Sequence, residues 1–491
     1  MGRRVSPNQE PDRRDQPTDP DPGQGSHPGT QTQERQTLNI GPVFARTVRH
    51  FFADLDAWIN DIEDPRCQPR VIYDKHFLIW LGILLFVCKL SSRRQIDYQF
   101  NTDGPELLAN LNRLAGTAQD TCPVHNTLEY FLGRIGSAPL ACLEQKLVNR
   151  LVRMKALDEA RLQGDFLVLI DGTGYLAFHE RHCEDCLTQK HGESTLYMHQ
   201  VLEAKLLGPG GTVFSIATEF IDNRDARDTP AGASEERRKQ DCELKALPRL
   251  LARVRATFKQ LRICINGDSQ FACGAGFQAA KDYNCDFLYV FKEGRTPALW
   301  QDFQGLLKLC PEQRVEVRTP ALTHQEYRWV NDLEYKDSDK RSWKFNAIYC
   351  KETDKKCKTT EWSWITSLEA NHAKVVEVAT RGGRQRWREE NEGFNAQKNN
   401  GMNLEHAYSH TNWAAYYFLL QIAHLFLQLV EKGSLLRQLA EQQGKRTAVG
   451  LFGALKNIAQ RLLESLRYFH WDDEAFNTEA AARIQIRLNS S

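Results

Sequence analysis

The sequence predicts an α/β protein in which a mixed sheet follows a helical region and is interrupted by a β-rich insertion. The first observation is an apolar run, 166–170, that ends in Asp171; such a run without polar alternation is typical of a strand buried on both faces. The second is a hairpin pattern, 197–221, whose two alternating segments are joined by Gly-Pro-Gly-Gly. The third is another apolar strand, 262–266, followed by glycine and Asp268.

Composition limits the classes of protein to which the chain can belong. Its 491 residues are long enough for two or three domains. The 64 Lys and Arg residues nearly balance 63 Asp and Glu residues, so DNA binding would depend on local basic patches. Thirteen cysteines and no signal peptide predict free thiols in a reducing cytoplasm. The longest apolar run, 77–88, is too short to span a bilayer, so we expect a core helix and no membrane partner.

The chain before the sheet is predicted to consist of a tail and a helical domain. Residues 1–37 contain almost no apolar side chains, which predicts disorder. Residues 38–162 carry apolar residues at three- and four-residue spacing, which indicates helices. Arg93 and Arg94 follow one of these helices and are competent to hold a DNA backbone. The pattern is compatible with a DNA-binding domain and equally with a helical support domain.

Residues 163–295 are predicted to form the first part of the sheet. Their order is strand with Asp, strand, strand, helix (234–258), strand with Asp, helix, strand, which is the order of the ribonuclease H-like fold. In that fold the first and fourth strands are neighbours, so Asp171 and Asp268 would lie side by side. Paired carboxylates repel each other and hold divalent cations well. Two such cations can activate an attacking oxygen and stabilise the leaving oxygen of a phosphodiester.

A Cys/His hairpin is predicted at 179–199, after the first strand. Cys183 and Cys186 are spaced like one half of a zinc site, and His182 and His191 are the candidate further ligands. The second half of the site lacks a regular Cys-x-x-Cys or His-x3-His spacing. The alternative is an ordinary polar hairpin that carries two reduced thiols.

The remaining chain is predicted to complete the sheet after an interruption. Residues 296–380 are rich in alternating Val, Tyr, Trp, Phe and Thr, which predicts a β-rich insertion. Residues 381–432 would complete the core and supply a third acid. Residues 433–491 are predicted to be helical.

The chain resembles the insertion-sequence DDE transposases over about residues 60–430. Three motifs carry the resemblance: Ile170-Asp171-Gly172-Thr173, Asn266-Gly267-Asp268 and the Arg-Trp-x-x-Glu…Phe…Lys pattern that starts at Arg386. The cut-and-paste branch of that family has a β-strand insertion before the third acid and a Tyr-x2-Arg-x3-Glu-x6-Lys signature. Arg386 and Glu390 match the signature. Gly383 stands at the Tyr position and Gln397 at the Lys position, with Lys398 one residue farther.

Three neighbouring acids compete for the role of third metal ligand: Glu389, Glu390 and Glu392. On a helix that advances about 100° per residue, Trp387 and Phe394 share one face and are predicted core anchors. Glu390 lies about 40° from Phe394 by the same geometry, and Glu392 about 160° away. Arg386 precedes Glu390 by one turn and could orient it or hold a phosphate. We therefore predict Glu390 as the third acid, with Glu392 as the alternate.

The resemblance implies a transposase in which Asp171, Asp268 and Glu390 hold two Mg²⁺ ions, with Mn²⁺ as a substitute. It also implies double-stranded DNA as the partner, at the element ends and at the target, bound by a homodimer in the nucleoid-associated cytoplasm. The basic side chains predicted to contact this DNA are Arg93, Arg94, Arg384, Arg386, Arg388 and Lys398.

Three tryptophans of the insertion have two interpretations. In hairpin-forming relatives such residues stack on a displaced base, although tryptophans in strands more often pack in a core: Trp343, Trp362 and Trp364. Two rival functions also stay open. One is a nuclease or resolvase on the same fold without strand transfer, and the other is a catalytically inactive, DNA-binding derivative of a transposase.

Overall fold

Ten strands form one open, mixed sheet in the computed structural model, which describes residues 39–102, 104–224, 240–321, 323–453, 456–479 and 484–486. In chain order they are β1 (Phe166–Phe178), β2 (Leu187–His191), β3 (Ser194–Leu207), β4 (Val213–Ile221), β5 (Ile263–Gly267), β6 (Asp286–Val290), β7 (Arg314–Arg318), β8 (His324–Lys336), β9 (Ser342–Thr353) and β10 (Thr359–Thr366). Their order across the sheet is β2-β3-β1-β5-β6-β10-β9-β8-β7, and β4 also pairs with β3. The mixed α/β class expected from the sequence is confirmed.

Strand β1 joins the parallel and antiparallel parts of the sheet. Its parallel pairing with β5 ends at Ile170, which lies opposite Gly267. Its antiparallel pairing with β3 continues as far as Phe178. The strand therefore runs on beyond Asp171, where the apolar run suggested an end, and only its parallel pairing stops there. Asp171 and Asp268 consequently follow two positions that are paired across the sheet.

The insertion lengthens the sheet at its β6 edge. Strand β10 pairs antiparallel with β6, and β9, β8 and β7 follow as successive antiparallel neighbours. The segment begins with a helix, Pro297–Leu309, in which Leu299, Phe303 and Leu307 are buried at helical spacing. The predicted β-rich insertion, 296–380, is thus helical at its start.

Helices pack before β1, between the strands and after the insertion. Before β1 they are Gly41–Phe51, Leu55–Asn60, Lys75–Val87, Gln95–Phe100, Leu107–Ala115, His125–Ile135 and Ala138–Arg153. Later in the chain they are Glu243–Thr257, Gly274–Asp282, Pro297–Leu309, Trp413–Lys432, Ser434–Gln442, Ala448–Phe452 and Lys456–Tyr468. Residues 375–399, called the late segment below, combine short α, 3₁₀ and π-helical turns.

The helix Trp413–Lys432, called the core helix below, is apolar because other elements cover it. Its Phe426 ring lies 6.0 Å from the ring of Trp80, and its Leu419 lies against Gly82, where any larger side chain would collide. By length and composition the core helix could cross a membrane, yet 89% of its apolar window is buried inside the protein. The 77–88 run also forms a buried helix, which confirms that prediction.

Two predicted segments fall wholly or partly outside the described residues. The tail, 1–37, is one of them. The amphipathic helix predicted at 234–258 is described from Glu243 to Thr257, with its apolar side chains buried against the sheet. Asn39–Ser491 forms one compact unit.

Candidate active site

Asp171 and Asp268 lie at the same edge of the paired strands β1 and β5. Asp171 directly follows Ile170, and Asp268 directly follows Gly267, the partner of Ile170. Asp268 also caps the short turn after β5, where its carboxylate accepts a hydrogen bond from the Gln270 N–H at 2.8 Å. Parallel pairing of the two strands therefore brings two carboxylates together at one end of the sheet.

The proximity of these carboxylates is reflected in a raised pKa of Asp171. The pKa of this carboxyl is raised to about 6, mainly by burial and also by the negative charges of Asp268 and Glu390. The Arg386 guanidinium and the Gly172 N–H, which donates to Asp171 Oδ1 at 3.0 Å, lower the pKa. Carboxylates crowded in this way repel each other, and a bound cation would relieve that repulsion.

Arg386 bridges the first and the third predicted acids. Its Nη1 lies 3.3 Å from Asp171 Oδ2, and its Nη2 lies 3.8 Å from Glu390 Oε2. The Glu390 side chain is 64% exposed, so a hydrated cation could reach it without unfolding the late segment. The guanidinium meanwhile supplies positive charge to the carboxylates and is placed to hold a phosphate beside them.

Glu389, the neighbouring candidate, is enclosed in the protein. The residue is fully buried, and neither of its carboxylate oxygens has a hydrogen-bond partner within the described part of the chain. Burial raises its pKa well above the ordinary value, and the charge of Asp171 adds to this rise while Lys205 opposes it. Glu389 is therefore enclosed in the protein, whereas Glu390 faces solvent. Of the two, Glu390 has the access that an exchangeable cation needs.

The late segment does not follow the regular helical phase that the sequence argument assumed. Residues 389–395 form a π-helix, whose wider turns change the direction of successive side chains. Phe394 is buried as predicted, but Trp387 is 44% exposed, so its prediction as a core anchor is wrong. Glu392, the alternate third acid, lies near Arg388 and Glu431, and its negative charge tends to raise the pKa of both groups.

Glu243 is a fourth carboxylate at this site, and the sequence analysis did not select it. It begins the helix Glu243–Thr257 and accepts a hydrogen bond from the Gln270 side-chain amide. Its pKa is raised by burial and by the charges of Asp171 and Asp268. Gly172 makes room for it, since any side chain at that position would collide with the Glu243 carboxylate.

A cleft of about 590 Å³ opens beside the acids, between the late segment and strands β6 and β10. Its lining is aromatic and of mixed charge, with three acids, three basic residues and four tryptophans: Asp268, Glu293, Glu361, Lys292, Arg384, Arg386, Trp300, Trp362, Trp364 and Trp387. Arg384 is held there by Glu352, at 2.8 Å, and lies 4.2 Å above the Trp362 ring. The cleft thus combines cations with flat apolar surfaces, a combination suited to single-stranded nucleic acid.

The three insertion tryptophans separate into different environments. Trp364 is 2% exposed and belongs to the core. Trp362 lines the cleft, as does the small exposed part of Trp364. Trp343 packs on Phe277 at 5.8 Å and donates a hydrogen bond to Asp337. Only Trp362 among the three is placed where a base could reach it.

Both departures from the Tyr-Arg-Glu-Lys signature have packing reasons. Gly383 lies against the indole of Trp364, so the space for a tyrosine is already filled. Gln397 is fully buried and donates a hydrogen bond of 2.7 Å to Gln421 on the core helix. A lysine at position 397 would face this buried polar contact instead of DNA.

The other predicted DNA-contacting side chains lie in varied surroundings. Arg93 pairs with Glu129 at 2.5 Å, whereas Arg94 is exposed. Lys398 pairs with Glu405 at 2.6 Å. Arg388 donates to Gln385 and lies against Gly211 in the turn before β4. Of the six predicted basic residues, Arg384 and Arg386 line the cleft.

A second cluster gathers sulfur and nitrogen atoms at the far end of β1. Its members are His182, Cys183, Cys186 and His199, whose ligand atoms all lie within 4.8 Å of one another. The two sulfurs are 3.5 Å apart, and each lies 3.4 Å from His199 Nε2. His199 was not among the selected candidates. His191 was among those candidates, but its side chain lies outside the described part of the structure.

Comparison of the chain with known protein families and with characterised proteins finds no match. Its function must therefore be argued from the chemistry of these two clusters and the cleft.

Proposed function

We propose that this chain is a DDE-type transposase that cleaves the ends of its own mobile element and joins them to target DNA. The observation that carries the proposal is the meeting of Asp171, Asp268 and Glu390 beside a cleft lined by arginines and tryptophans. The strand order β4-β3-β1-β5-β6 supports a ribonuclease H-like core. In such a core these strand ends carry catalytic carboxylates. Strands β7–β10, which lie between the second and third acids, support the cut-and-paste branch.

The donor set fits divalent cations that prefer oxygen. Asp171 and Asp268 offer carboxylates on adjacent strands, Glu390 offers a solvent-exposed one, and Glu243 adds a fourth from a helix start. Oxygen ligands of this kind suit Mg²⁺ or Mn²⁺. When bound, two such ions activate the attacking oxygen and stabilise the leaving oxygen of a phosphodiester.

The chain's own residues would hold and orient the DNA. Arg386, between Asp171 and Glu390, is placed to grip the scissile phosphate. Arg384 and Lys292 would hold neighbouring phosphates, and Trp362 and Trp387 offer ring faces to unpaired bases. The proposed partner is double-stranded DNA. We also propose that the chain binds the element ends as a homodimer and acts in the nucleoid-associated cytoplasm.

The reaction consists of two displacements at phosphorus. In the first, the oxygen of water bonds to the phosphorus at the element end, and the bond from phosphorus to the 3′ oxygen breaks. This leaves a 3′-hydroxyl on the element and a 5′-phosphate on the flank. In the second, the 3′-hydroxyl oxygen bonds to a target phosphorus and displaces the target's own 3′ oxygen. In each step the attacking group loses one proton to solvent and the leaving 3′ oxygen takes one up, and no redox step occurs.

The test uses a supercoiled plasmid that carries the reading frame's flanking DNA, with Mg²⁺ and the full chain. Asp171→Asn, Asp268→Asn and Glu390→Gln should each reduce nicking by more than about a hundredfold while gel-shift binding of the same DNA persists. Glu392→Gln is the matched control and should retain nicking. Unchanged nicking in all three acid variants would overturn the proposal.

Joining distinguishes the proposal from its nearest rival. Released ends that insert into a second plasmid support a transposase. Released ends that never join, with cleavage still dependent on the acids, would instead identify a nuclease or resolvase. DNA binding without metal-dependent cleavage would identify an inactive DNA-binding derivative.

A further inference from the structure

We propose that His182, Cys183, Cys186 and His199 bind one structural Zn²⁺ ion, separate from the carboxylate site. The four ligand atoms lie within 4.8 Å of one another. They come from a short loop after β1 and from β3, so residues separated by up to seventeen positions converge on one point. The proposal does not depend on the transposase reaction.

The distances match a tetrahedral zinc site. Zinc bonds of about 2.3 Å to sulfur and 2.0–2.1 Å to nitrogen place tetrahedral ligands about 3.8 Å apart for two sulfurs and 3.6 Å for sulfur and nitrogen. The observed separations are 3.5 Å between the sulfurs and 3.4 Å from each sulfur to His199 Nε2. A disulfide would need the sulfurs at about 2.05 Å, and both cysteines are free.

The histidines have ring nitrogens that the protein alone leaves unused. His182 Nδ1 is buried and has no hydrogen-bond partner in the described part of the chain. Its other nitrogen, Nε2, lies 3.3 Å from Nδ1 of His410. With Nδ1 on the metal, Nε2–H would donate to His410, which is the outer hydrogen bond that usually orients a metal-bound histidine.

The site is closed, which favours a structural role. Cys186 and His199 are buried, while His182 and Cys183 are half-buried. Four protein ligands fill a tetrahedral zinc site and leave no position for a substrate, in contrast to catalytic zinc sites with three protein ligands. Thiolate and imidazole ligands also favour Zn²⁺ over Mg²⁺.

The metal would fasten the β2 hairpin to neighbouring elements. Asn223, after β4, donates a backbone bond to Asp185 O and a side-chain bond to Cys186 O, each at 3.0 Å. On β2, the Thr188 N–H donates to the side chain of Gln240 at 2.8 Å. Gln240 lies three residues before Glu243, so the hairpin supports the chain that leads Glu243 to the carboxylates.

A contact on the other side reaches the core helix. The His199 ring lies 5.2 Å from the ring of Trp413, the first residue of that helix. We therefore expect metal loss to lower thermal stability first and to reduce DNA cleavage only through the loosened hairpin.

The test measures metal in the purified full chain by mass spectrometry. One zinc per chain is expected after dialysis against a Mg²⁺-free buffer. Cys183→Ser, Cys186→Ser and His199→Ala should each lower the zinc content at least about tenfold, the low end of what removing even a supporting residue costs a metal site. Cys357→Ser, at an exposed cysteine, and His191→Ala are matched controls that should keep one zinc.

Two further readouts keep the proposal testable if the cysteine variants do not fold. X-ray absorption of the wild-type protein should give two sulfur and two nitrogen neighbours around zinc. Replacement of zinc by Co²⁺ should give the intense visible bands of a tetrahedral thiolate site. Failure of the wild-type chain to bind either metal would overturn the proposal. So would loss of zinc in His191→Ala with retention in His199→Ala. Asp171→Asn should keep its zinc, which separates this result from the fate of the proposed transposase activity.

Discussion

The two candidate metal clusters of this protein both include residues on or next to β1 or β3, but they differ in ligand type and in solvent access. The cluster around Asp171 offers only oxygen ligands, includes an arginine and opens to a cleft. The cluster around Cys186 offers sulfur and nitrogen, and two of its four members are buried. Oxygen ligands with solvent access suit exchangeable Mg²⁺, whereas closed thiolate and imidazole sites suit resident zinc. The ligand chemistry of the two clusters thus suits different cations.

The groups that surround the two clusters also differ, because the carboxylate cluster adjoins a buried ion pair. Behind Asp171 lies a buried charged group in which Glu203 and Lys205 are both fully enclosed, with 3.8 Å between Lys205 Nζ and Glu203 Oε2. Tyr417 and Thr218 donate hydrogen bonds to Glu203. Removing one partner of such a buried pair is costly. The carboxylate site therefore adjoins a buried ion pair whose disruption would destabilise the fold. The Cys/His cluster would instead depend on a bound metal ion for its stability.

The largest expected effect is that substitutions in the two clusters change different properties of the protein: one lowers DNA nicking and the other lowers zinc content and thermal stability. Asp268→Asn should lower nicking by more than about a hundredfold without changing zinc content or melting temperature by more than a degree or two. Cys186→Ser should lower the melting temperature by at least about 5 °C, which corresponds to roughly 5 kcal/mol in a chain of this size, and keep measurable nicking at low temperature. Calorimetry and the plasmid assay give both readouts. Equal loss of both properties in either variant would show that the clusters form one site.

A second prediction concerns the signature position that Gln397 occupies. Gln397→Lys should destabilise the protein by about 3 kcal/mol or more, because it buries a charge against Gln421 and His424. Lys398→Gln is the matched control and should have little effect, since its partner Glu405 is largely exposed. Urea denaturation measures both. A stable Gln397→Lys variant that binds DNA more tightly would contradict this packing explanation.

A third, smaller effect follows from the pKa of Asp171. Because the folded pKa of about 6 exceeds the ordinary 3.8, the folded protein retains this proton over a range in which the unfolded chain has lost it. Stability without metal should therefore fall as pH rises from about 4 to 6, by on the order of 3 kcal/mol. Asp171→Asn should abolish this fall. Denaturation at several pH values without divalent ions, repeated with Mg²⁺, tests the prediction, and Mg²⁺ should restore stability at neutral pH in the wild type alone.

The smallest expected effect concerns Glu243. Glu243→Gln should reduce nicking about tenfold, as expected for a residue that supports the metal ligands, and should raise the Mg²⁺ concentration that gives half-maximal rate. Glu441→Gln, at an exposed position on another helix, is the control. An unchanged Mg²⁺ requirement with slower nicking would assign Glu243 a purely structural role.

Sequence patterns located the strands and both aspartates because these depend on local order. Runs of branched apolar residues define β1 and β5, and the polar residue after each run is visible in the chain. The Cys-x-x-Cys pair was visible for the same reason. Spacing alone did not point to His199, which the structure brings next to both cysteines, because strand pairing decides which histidine lies near them.

The late segment shows where periodicity stops being informative. A regular helix was assumed, and Trp387 was predicted to be a core anchor, but π-helical turns change the phase and leave it exposed. Glu243 was missed because its role depends on a contact with Gln270 and on the space beside Gly172. Neither contact leaves a pattern along the chain.

What the sequence determined by itself was the composition of each cluster: two carboxylates at strand ends, three nearby glutamates, and a pair of cysteines among histidines. What only the tertiary structure decided was which of these atoms meet. Parallel pairing of β1 with β5 brings Asp171 next to Asp268. The turn of the late segment exposes Glu390 and buries Glu389. Antiparallel pairing of β2 with β3 brings His199 close to Cys186. The physical reason is that metal ligation and charge repulsion act over a few ångströms, whereas the residues concerned lie up to about two hundred positions apart and are brought together only by the sheet.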